Sequence, residues 1–261
     1  MAEPEPEDVD VVGALREAGC VFAEDEARLL GDAAGTPTEL AAMVERRVSG
    51  TPLEHILGWV EFAGMRIGVD TGLFVPRRRT EVVVREAVAL IGAGSVVVEL
   101  CCGVGAVAAA LAARVDGITV YAADVDPEAA RCASRNLGVY AGSVYEGDLF
   151  AALPDSLRGR IDVVVANAPY VPTDAIATMP PEAREYEPRV SLDGGWDGVA
   201  IHRRIAADAP AWLAPGGHLL IETSERQAAL TSDAFAVNGL AARVARADDV
   251  DGTAVVGTAP S

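Results

Sequence analysis

Lysine is absent. All 21 basic side chains are arginine, set against 39 acidic ones, which leaves a formal net charge of −18. A balance this negative opposes association with a polyanion, so nucleic acid is not an expected partner without a local basic patch. The one basic run, Arg77-Arg78-Arg79, is short and reads as a solvated loop. Cysteine is scarce: Cys20, Cys101, Cys102 and Cys132 form no CxxC and no Cys/His ligand spacing. That pattern argues against a zinc site and a disulfide framework, and disulfide geometry disfavours a bridge between the adjacent Cys101 and Cys102. They are expected as small apolar packing residues. No apolar run approaches the ~18–20 residues of a spanning helix. The opening MAEPEPEDVD is acidic where a secretory signal is basic and then apolar, so a cytoplasmic location is expected. The three histidines, His55, His202 and His218, are scattered and read as packing or surface residues.

What is present is apolar bulk: 51% of the 261 residues, ample for one large core with a small appendage. Residues 1–8 alternate proline and acid and are expected to be disordered. Val9, Val12, Leu15 and Ala18 then fall at helical spacing, with Gly19 as a stop. A second helix is expected over Glu24–Leu30, closed by Gly31. A third starts at a Thr36/Glu39 capping box, with Pro37 at the first helical position, Leu40, Met43, Val44 and Val48 on one face, and Gly50 beyond its end. Residues 1–57 therefore read as a small helical domain. Residues 58–79 read as a hairpin linker punctuated by Gly58, Gly64, Gly68 and Gly72.

From residue 80 to 261 strands and helices alternate. The pattern predicts strands at Ser95–Leu100, Thr119–Ala123, Val144–Glu146, Ile161–Ala166 and His218–Glu222, and helices at Ala106–Arg114, Pro127–Gly138 (capped by Asp126) and Ile201–Leu213. Alternation of this kind implies an α/β, Rossmann-like parallel sheet covered by helices on both faces. Ala241–Ala245 and Thr253–Gly257 read as a terminal antiparallel hairpin.

The strand ends carry the chemistry. Glu99-Leu100-Cys101-Cys102-Gly103-Val104-Gly105 follows a strand and opens a helix, where free N–H groups and glycines admit a ligand. Asp124 ends the next strand, placed to accept from both ribose hydroxyls. Asp148 ends the third, placed to accept from an adenine amino group, with Leu149 to cover the ring. A dinucleotide fold shares part of this pattern. Two features favour S-adenosyl-L-methionine as cofactor instead: the GxGxxG spacing is missing, and Glu99 would repel a pyrophosphate but welcome an ammonium.

Strand Ile161–Ala166 runs into Asn167-Ala168-Pro169-Tyr170. A planar nitrogen conjugated to a π-system is a poor nucleophile because its lone pair is delocalised. The Asn167 side-chain oxygen and the Ala168 carbonyl could each take one of its N–H groups. The lone pair is then aimed at a sulfonium methyl and the growing positive charge is stabilised. Pro169 stiffens the turn, and Tyr170 can lie flat on a planar amide.

These motifs resemble those of the HemK-type protein-(glutamine-N5) methyltransferases, which modify peptide chain release factors. Gly50-Thr-Pro-Leu-Glu-His-Ile-Leu-Gly58 with Glu61-Phe62 is similar to the family's G-x-P-L-x-Y-I-L-G…E-F link. Val75-Pro76-Arg77 with Thr80-Glu81 is similar to its I-P-R-x-x-T-E segment. Glu187-Pro188 with Leu192-Asp193-Gly-Gly-Trp-Asp-Gly198 is similar to its E-P…A-L-x-G-G-x-D-G-L segment, and Pro215-Gly-Gly and Gln227 also correspond. The resemblance implies a seven-stranded class I methyltransferase domain behind a helical substrate-docking domain. It places cofactor contacts at Glu99, Cys101 to Gly105, Asp124, Asp148, Leu149 and Asn167, and the amide clamp at Asn167 to Tyr170. The implied partner is a protein substrate, the glutamine of a release-factor GGQ loop, met by a monomer with no membrane involvement. This chain departs from the pattern in having Ala168 where the family has proline, Cys101 for its first glycine and His55 for the link tyrosine. The alternatives are an N-methyltransferase of a small molecule or another amide or amine, a catalytically weak cofactor-binding regulator, and, disfavoured by charge, a nucleic-acid adenine methyltransferase.

Overall fold

The computed structural model describes residues 10–261. Val9 and the acidic, proline-rich opening, expected to be disordered, lie outside the described residues. The chain begins with α1 (Val11–Glu17), α2 (Ala23–Ala33), α3 (Pro37–Val48) and α4 (Leu53–Leu57), followed by the antiparallel hairpin β1 (Trp59–Phe62) and β2 (Met65–Gly68). Then come α5 (Glu81–Val88), β3 (Val96–Leu100), α6 (Ala106–Arg114), β4 (Thr119–Asp124), α7 (Pro127–Gly138), β5 (Ser143–Glu146) and β6 (Ile161–Ala166). The chain closes with α8 (Pro181–Tyr186), α9 (Ala200–Asp208), β7 (Leu213–Thr223), α10 (Ala228–Val237), β8 (Ala241–Ala247) and β9 (Gly252–Thr258).

Seven strands form one sheet in the order β5-β4-β3-β6-β7-β9-β8, parallel up to β7 and antiparallel for the β8–β9 hairpin. Alternate residues of each strand point to opposite faces. Val97, Val163 and Leu220 pack under α5–α7, while Val98, Val164 and Leu219 pack under α9 and α10. The order reverses between β3 and β6, so a crevice opens beyond their carboxyl ends. This is the Rossmann-like, helix-covered sheet that the strand–helix alternation implies, and its seven strands agree with the domain that the family resemblance implies.

A third, small core joins α1–α4 around Leu15, Leu30, Val44 and Ile56. This segment is fastened to the rest by polar contacts. Arg47 pairs with Glu26 at 2.6 Å and with Glu182 of α8 at 2.6 Å. The buried His55 bonds the Leu73 carbonyl at 2.8 Å, so the histidine that replaces the link tyrosine packs the junction.

Three local expectations change. Gly31 does not close the second helix; α2 continues to Ala33 because Leu30 packs in the small core and holds the turn. The capping box is offset by one residue: Thr36 Oγ1 accepts the Glu39 N–H at 3.1 Å, but the Glu39 carboxylate takes the Gly35 N–H at 2.8 Å. The helix expected over Ile201–Leu213 ends at Asp208. A 3-10 turn over Ala209–Ala211 follows, at Pro210, and Leu213 already pairs with Ile161 in the sheet.

Candidate active site

Two cavities meet at the end of β6. The first, about 360 Å³, lies over the carboxyl ends of β3, β4 and β5, with Cys101, Gly103, Asp124, Asp148, Leu149 and Asn167 in its wall. The second, about 380 Å³, lies between the Asn167–Tyr170 turn, Phe74, Arg77, Arg79 and α8. Asn167, Pro169, Phe74 and Ser191 line both, so the turn stands at the junction.

In the first cavity the backbone does much of the shaping. Cys101, Gly103 and Gly105 all adopt positive φ, at 51°, 51° and 75°, turning the chain sharply from β3 into α6. A side chain at Gly105 would be crowded as well as strained, since an added Cβ would lie 3.1 Å from Ala133 Cβ at this positive φ. Asp124 is held on both oxygens: Oδ2 accepts the Gly103 N–H at 2.7 Å and Oδ1 the Asp126 N–H at 2.9 Å. Burial raises its carboxyl pKa, and these N–H groups oppose the rise. Each oxygen keeps a lone pair for a ligand hydroxyl. Asp148 pairs with Arg204 at 2.6 Å, and Arg204 lines the same wall. Leu149, at φ 51°, is buried beneath Asp148.

Four sequence-nominated residues lie behind the wall rather than in it: Glu99, Cys102, Val104 and Gly105. Glu99 was expected to face an ammonium group. Instead its Oε2 turns to the start of α6 and accepts the Ala108 N–H at 2.7 Å, an unpaired donor that every helix N-terminus offers. Burial pushes its carboxyl up to about 8, against the helix N–H groups that pull it down. Cys102 and Val104 are buried core residues.

On the acceptor side the polarity of the turn is explicit. Asn167 Nδ2 donates to Thr80 Oγ1 at 3.1 Å, which leaves Oδ1 as the free end of the amide. Ala168 is buried, and the ring of His202, itself fully buried, faces its backbone carbonyl. Burial lowers the His202 pKa to about 4, so the ring is neutral at physiological pH. Tyr170 O–H donates to Glu222 Oε1 at 3.2 Å, and its backbone carbonyl accepts from Gln227 Nε2 at 2.8 Å. Two stretches far apart in the chain close the outer wall: Arg77 pairs with the buried Glu187 at 2.5 Å, and Val75 N–H donates to the same oxygen at 3.2 Å.

Thr80, Glu222, Arg204 and Phe74 were not singled out as site residues in the sequence. Glu222 did carry a signal, since it closes the expected strand His218–Glu222 with an acid, although β7 runs one residue further, to Thr223.

Comparison with known proteins now bears on the site. A family profile described as "Methyltransferase small domain" matches residues 80–180. A release factor glutamine methyltransferase of Geobacter sulfurreducens is 39% identical over 208 residues, spanning 78% of this chain and 72% of that protein. The chain belongs to the release factor glutamine methyltransferase family. The same family likeness extends to a 4-amino-L-phenylalanine/4-methylamino-L-phenylalanine methyltransferase of Streptomyces pristinaespiralis, 36% identical over 75% of this chain and 69% of that one. Among solved structures, a methyltransferase from Pyrococcus furiosus shares the fold, with TM-score 0.57 and 16% identity over 85% of this chain and 100% of that one. The profile-matched stretch contains every nominated site residue.

Proposed function

We propose that this chain transfers a methyl group from S-adenosyl-L-methionine to the side-chain amide nitrogen (N5) of a glutamine in a protein, a peptide chain release factor. The observation that carries this reading is the orientation of Asn167: with Nδ2 tied to Thr80, its Oδ1 is free at the meeting point of the two cavities.

The first cavity fits the cofactor chemically. Asp124 receives the ribose hydroxyls, Leu149 covers the adenine, and Asp148, shared with Arg204, is placed for the adenine amino group. Glu99 holds the helix start in place rather than touching the ligand. When bound, S-adenosyl-L-methionine supplies a methyl group on an electrophilic sulfonium. The protein's share is to aim a weak nucleophile. Asn167 Oδ1 accepts one N–H of the acceptor amide and the Ala168 carbonyl, through the lone pair not facing His202, accepts the other, which directs the nitrogen lone pair to the first cavity and stabilises the positive charge as it forms. Pro169 and the Tyr170 ring bound the plane in which the amide lies. No strong base is needed, because the nitrogen becomes acidic once it is methylated.

We further assign residues 10–57 as the docking surface for the protein substrate, residues 58–79 as the linker, and residues 80–261 as the methyl-transfer domain. The chain acts as a monomer in the cytoplasm, and its charge of −18 keeps it from nucleic acid. Among the described residues no helix is long and apolar enough to cross a membrane.

The relative that methylates an aromatic amine, together with the Ala168 substitution, supports a second reading with a small arylamine acceptor. Offering purified protein and methyl-labelled S-adenosyl-L-methionine to bacterial release factors and, separately, to 4-amino-L-phenylalanine decides between them. Label on the GGQ glutamine by peptide mapping is the expected result; label on the amino acid alone establishes the second reading. Asn167→Ala is expected to leave cofactor binding nearly intact and to cut turnover by about 10²–10³. Unchanged turnover removes the mechanism.

A further inference from the structure

An asparagine amide has two ends of nearly equal size, and only the oxygen end can accept an N–H. A threonine hydroxyl does not choose between them, because it both donates and accepts. Something else must set the direction of the Asn167–Thr80 hydrogen bond. The neighbouring strand supplies it. β6 and β7 run parallel with Ala166 opposite Ile221, so Asn167 and Glu222 emerge side by side at the strand ends. Glu222 is 0% exposed. Its Oε1 takes the Tyr170 O–H and its Oε2 is buried without a bonded partner, while the Thr80 hydroxyl, held by Asn167 on the adjoining strand end, is near the carboxylate without being hydrogen-bonded to it.

We infer that Glu222, acting through the Thr80 hydroxyl, is a positioning residue that fixes which end of the Asn167 amide faces the acceptor. An ionised carboxylate only accepts, so it draws the Thr80 proton toward itself. The Thr80 oxygen is then left as an acceptor, and the one Asn167 atom that can donate to it is Nδ2, at 3.1 Å. Oδ1 must point the other way, into the junction of the cavities. A protonated Glu222 would be a donor itself. Thr80 could then turn its proton to Asn167 Oδ1, and the amide would present NH2 to an acceptor NH2.

The surroundings favour such a change near neutrality. Burial pushes Glu222 up to about 7, opposed by the Thr80 hydroxyl, the Arg79 guanidinium, the Tyr170 hydroxyl and Arg77. Its cross-strand partner on β9, Ala254, carries no charge. The charges of α5 are engaged elsewhere: Arg85 and Glu81 with each other, Arg85 also with Asp249, and Glu86 with Arg243.

The inference rests on the methyl-transfer reading for its catalytic meaning, but its geometry is testable without any acceptor. In the uniformly 15N-labelled full chain, the Asn167 side-chain amide resonances are identified by their loss in Asn167→Ala. They are expected to shift between about pH 5 and about pH 9, with a midpoint near 7 in the unsubstituted protein and no such step in Glu222→Gln. Kinetics with S-adenosyl-L-methionine and a bacterial release factor supply the second readout. Thr80→Val is expected to lower turnover about tenfold to a hundredfold with an unchanged KM for the cofactor, and Thr80→Ser to recover it to within about threefold. A pH-independent Asn167 amide in the unsubstituted protein overturns the inference. So does Thr80→Val turning over at the normal rate with an unchanged Tm. If Asn167→Ala is itself fully active, the methyl-transfer reading falls while the amide titration still judges the relay. If Asn167→Ala is inactive and Thr80→Val is not, the relay alone falls.

Discussion

Cys101 occupies a backbone conformation that suits glycine better than cysteine. Its φ of 51° lies in the left-handed region, which costs a residue with a Cβ roughly 1–2 kcal/mol, while glycine adopts it freely but loses more chain entropy on folding. Its thiol also lines the first cavity, and burial pushes its pKa well above the usual thiol range, so it stays neutral. Cys101→Gly is therefore expected to leave stability level or raise it by up to about 1 kcal/mol, and to tighten cofactor-product binding several-fold by widening the cavity. Thermal melts and calorimetry with S-adenosylhomocysteine check both, and weaker binding would show that the sulfur itself touches the ligand. Asn167 was legible in the sequence because a polar residue after an apolar strand stands out. Thr80 was not, because its partner lies 87 residues away, and Glu222, though visible as an acid near a strand end, did not reveal its partner 52 residues away. Glu99 was legible as a strand-end acid, but its hydrogen bond back to the start of α6 was not, since sequence does not say to which side of a glycine turn a carboxylate swings.

At the scale of elements, the 194–198 loop buttresses the clamp. Val171 and Asp193 form a bridge, Gly194 N–H donates to the Val171 carbonyl at 2.8 Å, and Gln227 Nε2 ties the Tyr170 and Asp197 carbonyls together at 2.8 and 3.0 Å. Gly198 sits inside this knot. A Cβ there would come within 2.0 Å of Gln227 Nε2 and 2.3 Å of the Tyr170 carbonyl, at a φ of 77°. Gly198→Ala is expected to displace Tyr170 and cut turnover by about 10²-fold, as misplacement of reacting groups by about 1 Å does, while cofactor affinity changes little. Steady-state kinetics beside cofactor titration separates the two. Elements with strong local signals matched their expected limits: α6, α7 with its Asp126 cap and proline, and β6 with its apolar run. α5, EVVVREAV, gave no such signal because its β-branched run favours a strand; packing on α6 and the sheet makes it a helix. α10 was missed for the opposite reason, being apolar on most sides without a clear stripe.

For the whole molecule, the buried acids make stability depend on pH in an unusual direction. Glu99 has its pKa raised by folding from 4.5 to about 8. Its contribution is complete below about pH 4.5 and is lost as pH rises through about 8, because the ionised form is the one that burial penalises. Glu222, raised to about 7, acts in the same direction. The Tm of the unsubstituted protein is thus expected to fall relative to that of Glu99→Gln between pH 4.5 and about 8, and parallel curves would show that Glu99 is ionised throughout. The order of the sheet has one more consequence. β9, nearly the last segment in the chain, inserts between β7 and β8 rather than adding at the rim. A nascent chain on the ribosome must therefore keep the flank of β7 unmated until residues 252–258 have cleared the exit tunnel. During that interval the half-made protein presents a bare strand edge to its neighbours, and aggregation competes with completion of the sheet.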